Sequence, residues 1–226
     1  MSINPDFISS FWIVISVLGY GLVLFLAVRS AEWWRLRDQH DLNVLICAIL
    51  GILFIWILKA DYASSRFAFG LNLHLLGATL LTLMFGWSFA VIAMSLVITT
   101  VTIIHGDSLL ALSWNILLTG ILPISISYRI FRFADRRLPN NFFIYIFICT
   151  FFGAALSMAS VIFATTAFHT LSGAFSFEYL GYNYFQYGLL LMFPEAFITG
   201  MLMSIFVVYR PQWVSTFDDH RYLHKH

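Results

Sequence analysis

Charge is what this sequence has least of. Asp, Glu, Lys and Arg make up 10% of its 226 residues, whereas 61% are hydrophobic. An ordinary soluble domain carries about 25% charged residues, and a water-exposed fold of this size cannot hide so much apolar surface. The net charge of +1 leaves no basic footprint for nucleic acid. Cysteine is almost absent too. Cys47 and Cys149 lie about a hundred residues apart inside apolar runs and form no CxxC, which excludes a disulfide framework and a cysteine-based redox motif. There is no GxGxxG, no Walker A sequence, no HExxH and no histidine box. The chain therefore lacks machinery for dinucleotide binding, nucleotide hydrolysis or zinc-peptidase chemistry, and it does not read as an enzyme. No linker, internal repeat or low-complexity stretch divides it, so residues 1–226 are expected to form a single integral membrane domain.

What is present is a series of apolar runs, at about 9–28, 44–59, 71–86, 88–104, 109–127, 142–168 and 185–208. A spanning helix needs roughly 20 apolar residues, so the expected fold class is all-α, a polytopic membrane bundle of about seven helices. The first run lacks a basic leader and a small-residue cleavage site, which makes it a retained helix rather than a signal peptide. The stretch 71–104 is too long for one span and is divided at Gly86-Trp87-Ser88, where a tight turn is permitted; one long kinked helix is the alternative. With the amino terminus outside, segments 29–43, 128–141 and the tail from about 209 fall inside. They hold Arg29, Arg35, Arg37, Arg129, Arg132, Arg136, Arg137, Arg210, Arg221 and Lys225, ten of the twelve basic residues. The positive-inside rule thus favours an N-out, C-in topology and a short cytoplasmic tail. Such a chain belongs in a bacterial-type inner membrane, with the lipid bilayer as its solvent. The segment 171–184, rich in aromatics, is expected to cap the outer end of the bundle.

Chemistry, if any, rests on histidine. This topology sends His74, His105 and His169, on three different helices, to one outer face. Imidazole is the commonest ligand for transition metals near neutral pH, so these three are the candidate metal ligands, His74 first, His105 second and His169 third. Asp107 and Asn115 are placed to orient their distal ring nitrogens. Glu195 falls near mid-span after Pro194, where an ionisable group is costly and needs a partner inside the bundle. Asn115, Thr199 or another helix could supply it.

At these residues the sequence resembles the CbiM/NikM-type substrate-binding membrane components of energy-coupling factor transporters for cobalt and nickel. Three stretches carry the resemblance in the family's order. His74-Leu75-Leu76-Gly77-Ala78-Thr79-Leu80, with Phe85-Gly86, is similar to a His-Pro-Thr-Gly segment. His105-Gly106 through Leu112 and Asn115, with Gly120 and Pro123, is similar to a His-Gly-Gly segment ending in Asn. Glu195-Ala196-Phe197-Ile198-Thr199-Gly200, with Tyr209-Arg210-Pro211, is similar to a Glu-Gly-x-x-Thr ending.

The resemblance covers most of residues 70–215. It implies capture of a cobalt- or nickel-like ion at the outer face, with a coupling membrane subunit and ATPase subunits on the cytoplasmic side. The family's ligands are the free amino terminus, a His at position two and the His matching His74. Here position two is Ser2, the His-Pro pair is His74-Leu75, and Asp107 replaces the second Gly of His-Gly-Gly. Three outcomes follow: a different metal, a site completed by His105 and His169, or a scaffold whose metal function is lost. Copper ligation, axial haem-iron ligation by two of the histidines in a membrane redox subunit, and a non-transporting assembly subunit are the other functional classes.

Overall fold

The computed structural model describes residues 10–63, 76–173, 176–218 and 222. These residues are helical with no strand among them, as a bilayer demands: with no water to satisfy a free amide or carbonyl, the chain must pair its backbone groups internally. Six helices among the described residues are long and apolar enough to cross a membrane. They are α1 (Ser10–Ser30), α2 (Gln39–Ala63), α3 (Ala78–His105), α4 (Leu109–Arg137), α5 (Phe142–Leu171) and α6 (Gln186–Tyr209).

Of the seventh expected helix, at 71–86, residues 71–75 lie outside the described residues, and the described part is a half-span joined to its successor. Within α3, Gly86 adopts φ 81° and ψ 173°, which breaks the helix into a limb α3a (78–85) and a limb α3b (87–105). Only glycine adopts such a φ without steric cost, so the break falls where the Gly-Trp-Ser turn was expected. The nineteen residues of α3b rise about 28 Å and cross a bilayer alone; the eight of α3a rise about 12 Å and do not.

The chain reverses at the break. Gly77 of α3a lies against Ile52, midway along α2, while Met84 shares a recess with Val44 and Arg35 near the start of α2. From there α3b runs back. The Ser88 hydroxyl lies 2.8 Å from that of Ser30 at the end of α1, Trp87 donates to Ser125 of α4, and Met94 and Ile98 pack on Gly120. Half-span and full span together preserve the alternation that seven helices give. Arg29, Arg35 and Arg210 lie at or beside helix ends and Arg129 and Arg136 in the last turns of α4, all toward one face of the bundle. The opposite face holds Trp12, whose carbonyl accepts from Trp114, and Phe168, whose ring centroid is 4.9 Å from that of Trp114.

The expected loop 128–141 is shorter than its charge suggested, because α4 continues to Arg137. Its last turns carry Arg129, Arg132 and Arg136 at helical spacing. A helix needs no break where it leaves the hydrocarbon for the headgroup region, where these cations are solvated. The segment 171–184, expected to cap the outer end of the bundle, leads into α6. Its residues 177–185 are helical and continuous with α6, burying Leu180 and Tyr184.

Lipid tails are as apolar as leucine, so close packing and interhelical hydrogen bonds hold the bundle together. The α1–α4 contact carries a buried hydroxyl pair, Ser16 with Ser113 at 2.7 Å. On α5–α4, Ser157 donates to the carbonyl of Pro123. On α5–α6, Gly188 fits against Ile162 and Gly200 receives the ring of Phe151 where a side chain would stand. Replacing Gly200 with valine is expected to force these helices apart and cost about 3 kcal/mol, the upper part of the usual overpacking range. Thermal unfolding in detergent should show the loss, with Gly21→Val, whose added Cβ meets nothing within 4 Å, close to the parent.

Candidate functional site

The most unusual polar arrangement in the bundle centres on Glu195. It sits on the tenth residue of α6, one position after Pro194 and 3% exposed. A carboxyl group at that depth needs a partner. Two backbone amides serve it: Leu76 donates to Oε2 at 2.8 Å and Gly77 to Oε1 at 3.0 Å.

These two amides stand just ahead of α3a. A helix start leaves several amides without intrahelical acceptors and carries a partial positive charge. A carboxylate presents two acceptor oxygens at a spacing that suits two neighbouring amides. Glu195 thus acts as a cap supplied by another helix, in a setting where side-chain caps from the local sequence are absent. Gly77 makes the turn possible. Its φ is +67°, and a Cβ there would lie 3.0 Å from Cδ1 of Ile52. Trp56, Leu76, Ile198 and Thr199 line a recess of about 50 Å³ beside the carboxyl group.

Gly77→Val is therefore expected to destabilise the chain twice over, by the roughly 1–2 kcal/mol cost of a left-handed conformation and by crowding Ile52. A drop of about 3 kcal/mol in unfolding free energy, read from denaturation in detergent, is the expected result.

His74 lies outside the described residues, two positions before Leu76 in the chain. Of the other expected ligands, His105 is exposed at the last residue of α3b, and Asp107 is exposed in the turn that follows, its amide donating to the Thr102 carbonyl. His169 is 3% exposed near the end of α5, beside Phe168. Asn115 is buried on α4, where the Thr119 hydroxyl donates to its carbonyl. Among the described residues no three His, Cys, Asp or Glu side chains form a group able to hold a metal ion. Sequence reasoning missed the roles of Leu76 and Gly77 altogether. Amide donors leave no compositional trace, and the only signal was a mid-span carboxyl group in need of acceptor work.

The turn before α3a, the His105 segment and the Glu195 segment lie within one match. The family model described as "Cobalt uptake substrate-specific transmembrane region" covers residues 3–213. No curated protein and no solved structure matches the chain. A match of that extent, on a six-span helical bundle, places the chain in the CbiM family of cobalt uptake transmembrane components.

Proposed function

We propose that this chain captures Co²⁺ from the outer side of a bacterial inner membrane and presents it for uptake. The substrate site is assigned to the segment leading into α3a, with His74 as the principal ligand and His169 and His105 as the further imidazoles. Burial favours His169 over His105 as the second ligand, because an enclosed imidazole is held in position before the metal arrives. Asn115 and Asp107 are the groups assigned to fix ring orientation. Imidazole donors also accept Ni²⁺, so nickel is a competing substrate of the same site.

The observation that carries this reading is the clamp of Glu195 on the amides of Leu76 and Gly77. It fixes the backbone two residues after His74, and a weakly anchored ligand would lose affinity to the entropy of ordering it. Energy must come from elsewhere, since the sequence carries no nucleotide-binding motif. A coupling membrane subunit with ATPase subunits, docked on the arginine-bearing face, supplies it.

Proteoliposomes containing the purified chain alone test this division of labour. They are expected to bind Co²⁺ but not to accumulate it against a gradient, with or without internal or external ATP. Concentrative uptake by the chain alone would remove the coupling subunits from the account.

A further inference from the structure

The limb α3a is held at both ends by one stretch of chain. Glu195 of α6 takes its amino end. At its carboxyl end, where Gly86 breaks the helix, the carbonyls of Leu83 and Met84 are met by the tail that follows α6. The Ser215 amide donates to the Met84 carbonyl at 2.9 Å and the Thr216 amide to the Leu83 carbonyl at 3.3 Å. The Thr216 hydroxyl donates to that same Leu83 carbonyl at 2.7 Å. A threonine hydroxyl has one proton, so its 2.7 Å contact with the Tyr145 hydroxyl is donated by the tyrosine. Tyr145 is fully buried, and its ring centroid lies 5.0 Å from that of Phe217 and 5.3 Å from that of Tyr222. The tail is thereby seated on α5 and bonded to α3a.

We infer that Ser215 and Thr216 form a latch, positioning residues that set the height of α3a and, through it, of the Leu76–Gly77 turn. The tail then controls from the arginine-bearing face how firmly the substrate is held toward the other. This inference rests on the cobalt-capture reading above. Its physical basis is the shortness of α3a. Eight helical residues span about 12 Å with their own hydrogen bonds inside, so a displacement at one end reaches the other with little bending. Gly86 is a ready pivot, because nothing lies within 4 Å of the position a Cβ would take there. Freeing the tail removes three donors from the carboxyl end and leaves the Glu195 clamp to hold the limb alone.

The test compares full-length purified Thr216→Val, Thr216→Ser and Tyr145→Phe with the parent. Valine keeps the shape and the amide but loses the hydroxyl; serine restores it; phenylalanine removes only the donor to Thr216. Two quantities are read: the rate at which bound Co²⁺ is lost to excess chelator, and the hydrogen-exchange rate of the Leu76 and Gly77 amides. Thr216→Val is expected to raise both about tenfold, the weight of one hydrogen bond, with an unchanged folded fraction. Thr216→Ser should match the parent, and Tyr145→Phe should fall between. The latch is overturned by equal rates in Thr216→Val and the parent, by acceleration that serine does not rescue, or by acceleration that merely tracks unfolding. Should the parent bind no Co²⁺, the capture reading fails on its own, and exchange at residues 76 and 77 still decides the latch. Should Thr216→Val not fold, the comparison of Tyr145→Phe with the parent decides it.

Discussion

Leucine at position 195 is expected to lower the unfolding free energy by about 3 kcal/mol and to abolish high-affinity Co²⁺ binding. The substitution removes both acceptors of the Leu76 and Gly77 amides and leaves two donors inside the bundle without them. Hydrogen bonds to a charged group contribute roughly 1.5–3 kcal/mol each, and stranding the donors adds their desolvation cost. Bonds inside membrane bundles measure weaker, about 0.6 kcal/mol on average, which holds the sum near the low end. Glutamine should behave differently. Its one carbonyl oxygen can take one amide, while its NH₂ group faces the other as donor against donor. The expected result is a folded protein that has lost about 1 kcal/mol and binds Co²⁺ more weakly, because the turn before α3a is held by one bond where it had two. Unfolding in detergent and Co²⁺ titration on the three forms check this. Equal stability and affinity in all three would make Glu195 incidental.

The same residue shows what could be read in the sequence. That Glu195 needs a partner follows from one carboxyl group inside an apolar run. That the Leu76 and Gly77 amides are among its partners does not follow, because they are backbone. The break at Gly86 was legible for the opposite reason, since it depends on a residue type with a distinctive steric allowance. Its consequence was not legible. Leu76 and the α3a residues are as apolar as any span, and hydropathy alone does not separate a half-helix from a full one. The continuation of α4 to Arg137 was hidden by charge. Arg129, Arg132 and Arg136 resemble a loop by polarity, although their spacing is that of a helix face. The basic asymmetry does not depend on any of this, because it counts charges at helix ends rather than the length of each helix. The tail contacts of Ser215 and Thr216 had no signal: two small hydroxyl residues after a span resemble any solvated terminus.

The second large effect belongs to His74, and it bears on the account as a whole. If this imidazole is the principal ligand, its removal takes a donor out of the metal's own coordination shell. Losing a supporting partner of a metal ligand already costs about 10–100-fold in affinity, so losing the ligand should cost more. The Glu195 clamp is made to the amides of Leu76 and Gly77 and not to the side chain of residue 74, so the comparison is made at equal folded yield. His105→Ala and His169→Ala serve as graded comparisons, with the larger loss expected at the buried His169. The decisive measurement is the cobalt content of purified protein after equilibration with Co²⁺ and gel filtration. The account expects about one ion per chain in the parent, by the one-site logic of a captured substrate, and none in His74→Ala at equal folded yield. Equal cobalt in both forms, or none in either, would contradict it.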